Sequence, residues 1–244
     1  MQKQHVIFED LGRMDYRRAW DYQEKLLQQN LHIKSEFGQR ATSMVDDSLP
    51  ATVNHLLLVE HDPVYTLGKS GHMENILISE EEMEAKGIQF FKTNRGGDIT
   101  FHGPEQIVGY PILDLEKFGT DIGKYMRNLE EVIILTLDSY GIKGHRSAGE
   151  TGVWIEPGIA GSERKIAALG VRCSRWVTMH GFALNVNTNL AYFNDIIACG
   201  IQHKQVTSIE KELGRKISLE SVKEKLKQNF SSVFDVELME KLAV

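Results

Sequence analysis

Cysteine is scarce in this sequence, and long apolar runs are missing. Only two of the 244 residues are cysteine, Cys173 and Cys199, which is too few for a disulfide framework and favours a reducing compartment. No stretch approaches the run of about eighteen uncharged apolar residues that a membrane-spanning helix needs. The first residues also lack the charged-then-apolar pattern of an export signal. We therefore expect a cytoplasmic protein that does not engage a membrane.

An excess of basic charge and the common cofactor motifs are also missing. The formal net charge is −6 at pH 7, which argues against a nucleic-acid partner. The two cysteines do not form C-x-x-C, and the nine histidines show no paired ligand spacing. Neither the G-x-x-x-x-G-K-[ST] phosphate loop nor the G-x-S-x-G turn of serine hydrolases occurs. We expect no metal and no other cofactor.

The composition that remains is that of a globular protein with a sizeable core. Hydrophobic residues make up 41% and charged residues 25% of the chain. Strands and helices are mixed without a regular βαβ alternation, which predicts an α+β (mixed α/β) fold. We expect one domain over residues 1–244, with a main sheet domain at about 1–203 and a small C-terminal helical appendage at about 204–244.

Apolar periodicity and turn residues predict the individual elements. Ser79 and Glu82 form a capping box that opens a short helix, and Gly141 ends another helix. Pro111 predicts that its strand is an edge strand or carries a bulge. The predicted helices lie at 15–38, 79–87, 121–140 and 190–197, with two more in the last forty residues. The predicted strands are 5–10, 53–60, 88–92, 106–115, 142–146, 151–156, 164–173 and 176–187.

Residues 95–104 read RGGDITFHGP and combine a tight turn with polar side chains. The adjacent Gly96 and Gly97 let the backbone approach a ligand closely or adopt a positive φ. Arg95 offers a fixed fork of donors, and Thr100 and His102 add polar groups. Because Gly-Gly is common in ordinary turns, composition alone favours an exposed turn between strands.

Two predicted strands carry many small residues. KIAALGVR starts at Lys165, and HGFALNVN starts at His180. Small side chains leave room, which is filled either by a core neighbour or by a long apolar ligand such as an acyl chain. A lysine at the start of a strand is usually exposed, so Lys165 alone indicates no function. The small residues are Ala167, Ala168, Gly170, Gly181 and Ala183.

Cys199 lies in the sequence IIACG, between a predicted helix and a glycine. This position predicts a reachable thiol in a turn, whereas a free cysteine is more often a small, buried and inert hydrophobe. Composition alone favours the inert interpretation over a nucleophile. Cys173 is a competing candidate, but its strand position next to Arg172 and Arg175 indicates sheet packing.

Taken together and in this order, RGGDITFHGP with the following Gln106, KIAALGVR, HGFALNVN and the late ACG resemble the octanoyltransferases of lipoate biosynthesis, also called lipoyl(octanoyl) transferases. The resemblance covers roughly residues 55–205 and is specific, because four motifs occur in the family's order. It implies a fold similar to that of biotin and lipoate protein ligases. It implies an acyltransferase that moves an octanoyl group from octanoyl-acyl carrier protein to a lysine. The implied acceptors are the lipoyl domains of 2-oxoacid dehydrogenase E2 subunits and the glycine cleavage H protein.

The resemblance also assigns roles to single residues. Cys199 corresponds to the nucleophile that becomes the acyl-thioester, and Lys165 corresponds to the catalytic lysine. A thioester divides acyl transfer into two easier displacements, and a nearby ammonium favours the thiolate form of a cysteine. The residues that correspond to the substrate pocket are Arg95, Gly96, Gly97, Asp98, Ile99, Thr100, Phe101, His102, Ala168, Leu169, Gly170, His180, Gly181, Phe182 and Ala183.

Two positions depart from the family pattern. Glu105 stands where the family commonly has glycine, so we expect an ordinary φ there and an added carboxylate near the pocket. Ala198 stands where a proline often precedes the cysteine. Neither change removes a reacting group, so both concern loop shape and not chemistry.

Two further expectations concern the substrates. Leu169 and Phe182 are the candidate end wall of an acyl pocket, which measures a chain by the methylenes it buries. An acidic acyl carrier protein requires a locally basic surface, although ordinary solvated charge explains the same residues equally well. The candidate basic clusters are Lys143, His145 and Arg146, and Arg164, Arg172 and Arg175.

Two other functions remain open on the sequence. One is an ATP-dependent lipoate or biotin ligase of the same fold. The sequence lacks the GRGR-like loop of biotin ligases, and lipoate ligases do not usually carry a cysteine at the position of Cys199. The other is a non-catalytic acyl-binding module, which the joint presence of Lys165 and Cys199 disfavours, because a decayed site tends to lose its reactive pair.

Overall fold

The computed structural model describes residues 3–41, 50–197 and 205–241. Five α-helices lie in these ranges, and none of them is long and apolar enough to cross a membrane. Helices α1 to α5 cover Tyr16–Ala41, Glu80–Ala85, Ile122–Asp138, Ile209–Leu213 and Leu219–Phe234. Strands β1 to β11 cover Gln4–Arg13, Asn54–Glu60, Val64–Leu67, Gln89–Lys92, Ile99–His102, Gln106–Ile112, Val153–Ile155, Arg164–Ser174, Val177–Asn185, Gln205–Val206 and Val236–Glu240.

Eight of these strands form one large sheet in the order β10–β8–β9–β6–β2–β1–β11, with β7 paired to β8. Strands β8, β9, β6 and β2 pair antiparallel with one another, whereas β1 pairs in parallel with both β2 and β11. A second sheet has the order β4–β3–β5. Together with the helices, this mixed sheet confirms the predicted mixed α/β fold.

The helices cover the two faces of the large sheet. Helices α3 and α5 pack against each other and bury the face that carries Ile166, Leu169 and Phe182. Helix α1 covers the opposite face, where Leu27 packs with Leu57. The site described below lies on the α1 face.

Capping residues set the helix ends that the sequence predicts. Ser79 and Glu82 form the complete capping box at the start of α2. Asp121 caps α3 by accepting from the Lys124 N–H. Gly141 follows α3 with a φ of +75°, the left-handed conformation that glycine adopts without penalty.

Pro111 lies inside the sheet, in β6 between β2 and β9, so the edge-strand prediction is wrong. Regular pairing of β6 with β9 runs only from Gln106 to Gly109. The residue that continues this register opposite Pro111 is His180, whose φ is +58°. The proline, which has no N–H for the ladder, therefore faces an irregular stretch of its neighbour.

The periodicity of the sequence does not predict the shortest strands. Strand β3 has four residues, β10 has two, and β11 reads VELME, whose charges resemble a helix end. Conversely, the predicted strand at 142–146 is wrong, since its pairing with the described part of the chain is limited to an isolated bridge between His145 and Trp154. The next residue, Arg146, pairs with Glu130 of α3 and not with a strand of the sheet.

The C-terminal residues contribute to the same core as α3. Strand β11 adds to the edge of the large sheet beside β1, and Phe230 and Val236 are buried with the α3 residues. The two predicted C-terminal helices are present as α4 and α5. The division of the chain at about residue 203 stays a prediction.

A buried ion pair ties α1 to the end of β6. The Lys34 ammonium lies 2.7 Å from Asp114 Oδ1, and both side chains are almost completely buried. Thr52 Oγ1 donates to the second carboxylate oxygen, and a Glu116 oxygen lies 2.9 Å from the ammonium. Both charges are removed from water, so the hydrogen bonds and opposite charges around them must offset the free energy of desolvation.

Asp114→Asn should lower the free energy of unfolding by about 3 kcal/mol, because it leaves the buried ammonium undercompensated. Asp138→Asn is the matched control, since Asp138 pairs with Lys143 at an exposed site and such pairs contribute at most about 1 kcal/mol. Urea unfolding measures both variants. Equal, small losses would contradict the stabilising role of the buried pair.

Candidate active site

A cavity of about 830 Å³, counted with the part open to solvent, lies on the α1 side of the large sheet. Strands β8 and β9 form its floor, and the loop that begins at Arg95 covers it. The predicted residues that line it are Lys165, Arg95, Gly97, Asp98, Ile99, Thr100, His102, Ala168, Leu169, Gly170, His180, Gly181, Phe182 and Ala183. Two predicted residues lie behind the lining. Gly96 N–H donates to the Val171 carbonyl, and the Phe101 ring stacks on Tyr192.

Four small residues form the floor, with Ala168 opposite Ala183 and Gly170 opposite Gly181. A Cβ on Gly170 would lie 2.6 Å from the Gly96 carbonyl oxygen, and a Cβ on Gly181 would lie 2.2 Å from a backbone oxygen of β6. The two glycines therefore serve close backbone packing, whereas the two alanines leave room above the sheet. Close packing therefore explains the two glycines, whereas an acyl chain above the two alanines stays a prediction.

Arg95 holds the covering loop in place. Its side chain is buried, and its guanidinium donates to the carbonyl oxygens of Thr66, Gly96 and Asp98. A planar fork of donors bonded to three separate carbonyls fixes the path of the loop. The contribution of Arg95 to the cavity is thus to shape its roof.

A chain of hydrogen bonds continues from Arg95 along the cavity wall. Thr66 Oγ1 accepts from Arg95 and lies 3.3 Å from His102 Nε2. His102 Nδ1 donates to Gln106 Oε1 at 2.9 Å, and Gln106 Nε2 donates to Asn185 Oδ1 at 2.9 Å. Burial holds the pKa of His102 well below its usual range. His102 is therefore a neutral link in the wall, with both ring nitrogens engaged.

A β-bulge turns Lys165 into the cavity. The register of β7 and β8 shifts between Val153 and Trp154, which oppose Ala167 and Lys165. Strict alternation along β8 would place Ile166 at the cavity and Lys165 in the core, and the bulge exchanges them. The Lys165 ammonium lies 4.5 Å from the centroid of the Trp154 ring, a cation–π distance.

A turn held by α3 supports the stem of Lys165. Gly152 has a φ of +113°, and a Cβ there would lie 3.3 Å from Lys165 Cε and 2.7 Å from a backbone oxygen of β8. The Gly152 N–H donates to Glu130 Oε1, and this fully buried carboxylate also pairs with Arg127 and Arg146. The sequence does not reveal Glu130, because a charged residue on an amphipathic helix ordinarily faces solvent.

A left-handed backbone turns His180 toward the cavity. By alternation with its neighbours, His180 would point to the α3 side, but its φ of +58° brings the imidazole to the α1 side. There Nε2 lies 2.7 Å from Asn94 Oδ1, and the ring centroid lies 6.1 Å from that of Trp20. The backbone N–H of His180 donates to Gln23. His180 thus ties the covering loop to the sheet.

Leu169 and Phe182 do not form the predicted end wall. Both side chains belong to the core that α3 and α5 cover, on the face opposite the floor. The Phe182 ring fills the space beside Gly109, where a Cβ would meet it at 2.2 Å. The two residues alternate with the floor residues along their strands, which sends their side chains away from the cavity.

Glu105 keeps the left-handed conformation expected of a glycine, so the prediction of an ordinary φ is wrong. Its φ is +61°, a conformation that costs a side chain about 1 kcal/mol. Its carbonyl accepts from the Asn187 N–H and the Thr188 hydroxyl, and its N–H donates to Glu60. The carboxylate pairs with Lys216 instead of entering the cavity.

The two predicted basic clusters are largely neutralised. Arg146 pairs with Glu130 and Glu131, and Lys143 pairs with Asp138. In the second cluster, Arg164 pairs with Glu156 and Glu212, and Arg172 pairs with Glu24. Neither cluster therefore presents a simple positive surface.

Of the two cysteines, only Cys173 lies in the described part of the chain. Cys173 is an exposed residue of β8, but partial desolvation of its thiol raises the pKa, which disfavours the thiolate. Cys199 lies outside the described residues, together with Ala198. The described residues hold no cluster of three or more His, Cys, Asp or Glu side chains suited to a metal ion.

Several cavity residues carry no signal in the sequence that marks them as such. Tyr16 reads as part of an apolar helix stripe, and Tyr110 reads as a core residue of a strand. Gln106 and Asn185 could be found, because Gln106 follows the RGGDITFHGP motif and Asn185 lies within HGFALNVN. The lining residues that the predicted site omits are Tyr16, Gln106, Val108, Tyr110, Thr151, Ala167, Asn185, Phe193 and Val206.

Buried neutral histidines beside the cavity predict a stability that depends on pH. Burial lowers the pKa of His61 to about 4 and that of His180 to about 3. A histidine with a depressed folded pKa binds a proton on unfolding at any pH between that value and about 6.5. The stability it provides is complete above about pH 6.5 and is lost as the pH falls through this window.

The free energy of unfolding should therefore fall between pH 7 and pH 5, by up to about 1.4 kcal/mol per pH unit for each such histidine. His61→Gln should make this slope shallower, because the contribution of His61 to the pH dependence is lost. His32→Gln, at an exposed position, should not change the slope. Urea unfolding at three pH values measures the slopes. Identical slopes for His61→Gln and the wild type would contradict the burial effect.

Known proteins resemble this chain over nearly its whole length. An octanoyltransferase of Christiangramia forsetii is 56% identical over 234 residues, which cover 96% of this chain and 97% of the relative. An octanoyltransferase of Flavobacterium psychrophilum is 58% identical over 231 residues, which cover 94% of this chain and 97% of the relative.

A solved structure shows the same fold at low sequence identity. The bi-partite lipoate protein ligase of Thermoplasma acidophilum matches with a TM-score of 0.69 and 16% identity, over 100% of this chain and 88% of that chain. At this identity the likeness concerns the fold alone. The lipoyl protein ligase A/B catalytic domain, as a sequence family, matches residues 15–231. The chain therefore belongs to the lipoyl protein ligase A/B catalytic domain family.

Proposed function

We propose that this chain is an octanoyltransferase of lipoate biosynthesis, which passes an octanoyl group through a thioester on Cys199. The observation that carries the proposal is that Lys165 and residues on both flanks of the Cys199 segment line the same cavity. Phe193, before the segment, and Val206, after it, both line the cavity, and Val206 pairs with Lys165 in the sheet. The names of the relatives that match nearly the whole chain support the same activity.

The first displacement loads the enzyme. The Cys199 thiolate attacks the carbonyl carbon of the octanoyl thioester, and the donor's carbon–sulfur bond breaks. The donor leaves as a thiol after taking a proton from the Lys165 ammonium, which leaves Lys165 neutral for the next step. A free cysteine has a pKa near 8.5, so only a few per cent is thiolate at neutral pH. In this proposal the Lys165 ammonium attracts the thiolate and raises that fraction.

The second displacement unloads the enzyme. The amine of the acceptor lysine attacks the acyl-cysteine, an amide bond forms, and the Cys199 thiolate leaves. The attacking amine must lose a proton, and Lys165 in its neutral form accepts it. The two displacements balance without an oxidant, a reductant or a nucleotide.

Lys165 is well placed for these roles because its position is fixed at both ends. The register shift in β8 and the Gly152 turn set its stem, and the Trp154 ring lies beside its ammonium. The Lys165 carbonyl accepts from the Thr207 N–H, and the Thr207 carbonyl accepts from Asn185 in the cavity wall. A catalytic group held in one geometry loses little entropy in the reaction.

The family resemblance supports the partners of this proposal. The donor is octanoyl-acyl carrier protein, and the acceptors are the lipoyl domains of 2-oxoacid dehydrogenase E2 subunits and the glycine cleavage H protein. Their chemistry requires a reducing compartment for a free thiol, which fits a cytoplasmic enzyme. The ion pairs within both candidate basic clusters leave the donor's docking surface to other residues.

Incubation with octanoyl-acyl carrier protein, without ATP, should add one octanoyl group to the protein, and Cys199→Ser should abolish the hydroxylamine-sensitive adduct. Intact-mass spectrometry measures the adduct, and Cys173→Ser is the matched control that should still load. An unmodified wild type that becomes active with ATP and free lipoate would favour a ligase. A wild type without any adduct or transfer would favour a non-catalytic binding module.

Lys165→Met should lower octanoyl transfer to a lipoyl domain by about 100- to 10,000-fold, the usual contribution of a positioned acid–base group. Lys143→Met, at an exposed position, is the control and should keep full activity. The rate of lipoyl-domain octanoylation, followed by mass, measures both. Full activity of Lys165→Met with intact folding would remove Lys165 from the proposed mechanism.

A further inference from the structure

The carboxylate of Glu130 in α3 joins the two ends of a loop. The side chain is completely buried, and its Oε1 atom accepts from the Gly152 N–H at 3.1 Å. Its Oε2 atom accepts from Arg146 Nε at 3.2 Å. Because Arg146 and Gly152 begin and end the loop at 146–152, a single carboxylate closes it. Burial of a carboxylate is costly unless both oxygens have partners, and here both have them.

The end of this loop and the first residues of β7 surround Lys165 from its stem to its ammonium. Gly152 lies against the stem, since a Cβ there would be 3.3 Å from Lys165 Cε and 3.5 Å from its Cδ. Thr151 lines the same cavity as Lys165, and the Trp154 ring centroid lies 4.5 Å from the ammonium. The position of residues 151–154 therefore determines where the Lys165 ammonium lies in the cavity.

The pairing of β7 with β8 begins at Val153, one residue after the contact between Gly152 and Glu130. Strand β7 has three residues, and its register with β8 shifts between Val153 and Trp154. Gly152 precedes the strand, and its φ of +113° departs from the extended backbone of a strand. The hydrogen bond from its N–H to Glu130 thus fixes the point at which the chain enters the shifted register. This contact connects α3 to the surroundings of Lys165.

The two arginines around Glu130 have other sources of compensation. The side chains of Arg127 and Arg146 are 44% and 37% exposed, so water solvates both guanidinium groups. Arg146 also pairs with Glu131 at 2.6 Å and donates to the Arg127 carbonyl oxygen. The hydrogen bond of the Gly152 N–H to Glu130, in contrast, is buried. The bond to Gly152 is therefore the contact of Glu130 that water replaces least well.

We propose that Glu130 is a positioning residue for Lys165, which it holds in place through the Gly152 N–H. The inference rests on the proposed function, in which the Lys165 ammonium meets the Cys199 thiolate. Glu130 does not line the cavity, so its loss changes the placement of Lys165 and not the binding of the substrates. A displacement of about 1 Å at a reacting group lowers a rate by up to about 100-fold. The expected signature is a lower kcat without a rise in KM.

Two substitutions of Glu130 separate the hydrogen bond from the charge. Glu130→Asp keeps the charge beside the arginines, but the shorter side chain withdraws the oxygen from Gly152 beyond hydrogen-bond range. Glu130→Gln loses the charge but keeps the length and an oxygen that accepts from Gly152. The kcat for octanoyl transfer to a lipoyl domain should therefore fall about 10- to 100-fold in Glu130→Asp and less in Glu130→Gln. Glu131→Asp, which shortens the neighbouring carboxylate, is the matched control and should keep full activity.

A double-mutant cycle with Lys165→Met tests whether Glu130 acts through Lys165. Glu130→Asp should lower kcat in the wild type and should have no further effect in a protein that already carries Lys165→Met. Equal losses in the two backgrounds would overturn the inference, because Glu130 would then act on the fold as a whole. Full activity of Glu130→Asp, or a larger loss in Glu130→Gln than in Glu130→Asp, would overturn it as well.

Failure of the proposed function is distinguishable from these outcomes. In that case the wild type does not transfer octanoyl groups, or Lys165→Met keeps full activity, and the inference falls with it. Should Glu130→Asp fail to fold, as judged by thermal unfolding, amide hydrogen exchange of the wild type still tests the link. The Gly152 N–H should exchange as slowly as the amides paired between β8 and β9, and exchange at the rate of an exposed loop would overturn the inference.

Discussion

The site depends on the close approach of the Gly96 peptide to Gly170 of β8. The Gly96 carbonyl oxygen lies 2.6 Å from the place a Cβ on Gly170 would occupy, and the Gly96 N–H donates to the Val171 carbonyl. This contact lays the covering loop onto the sheet and turns a strand surface into a cavity. Any side chain at Gly170 would lift the loop, so backbone packing constrains this position before any ligand does. The Arg95 hydrogen bonds then secure a loop whose path is already set.

At two positions the side chains of a strand do not alternate between the two faces of the sheet, and this places two polar groups in the cavity. The register shift in β8 exchanges Ile166 and Lys165, and the left-handed φ of His180 turns its imidazole to the α1 face. Without them, a lysine and an imidazole would point into the apolar core under α3 and α5, where a charge is costly. Irregular backbone is found where it re-aims functional side chains, and the surrounding pairing of β8 with β9 stays regular throughout. The regular hydrogen bonds between β8 and β9 therefore stabilise the two irregular stretches of backbone.

The sequence predicts elements and motif residues well and predicts orientation poorly. The capping box at Ser79 and the helix end at Gly141 follow from local chemistry, so they could be predicted. The direction of Lys165 could not, because a period of two predicts the opposite face. The φ of Glu105 was not predicted either, because the glutamate occupies the third position of a turn, closed by the Gln106 N–H on the Gly103 carbonyl, where a positive φ favours glycine. Hydrogen bonds from Asn187 and Thr188, far along the chain, add to this turn. The place of Tyr16 in the cavity could not be predicted for a related reason, because the rings that surround it belong to other elements. The role of Cys199 stays a prediction.

The two ends of the cavity differ in electrostatic character, and in the proposed transferase this difference orients an acyl group. The Lys165 ammonium lies at one end, while Tyr110 and His180, beside Gly181 at the other end, carry neutral side chains. The Arg95 cation lies near Gly170 at that end, but its donors bond the carbonyls of its own loop and of Thr66. A thioester has a polar carbonyl at one end and a methyl group at the other. The reversed orientation would bring the methyl group to the ammonium and desolvate it without compensation. In this proposal, burial of the chain and placement of the reacting carbon follow from one polarity gradient along the floor.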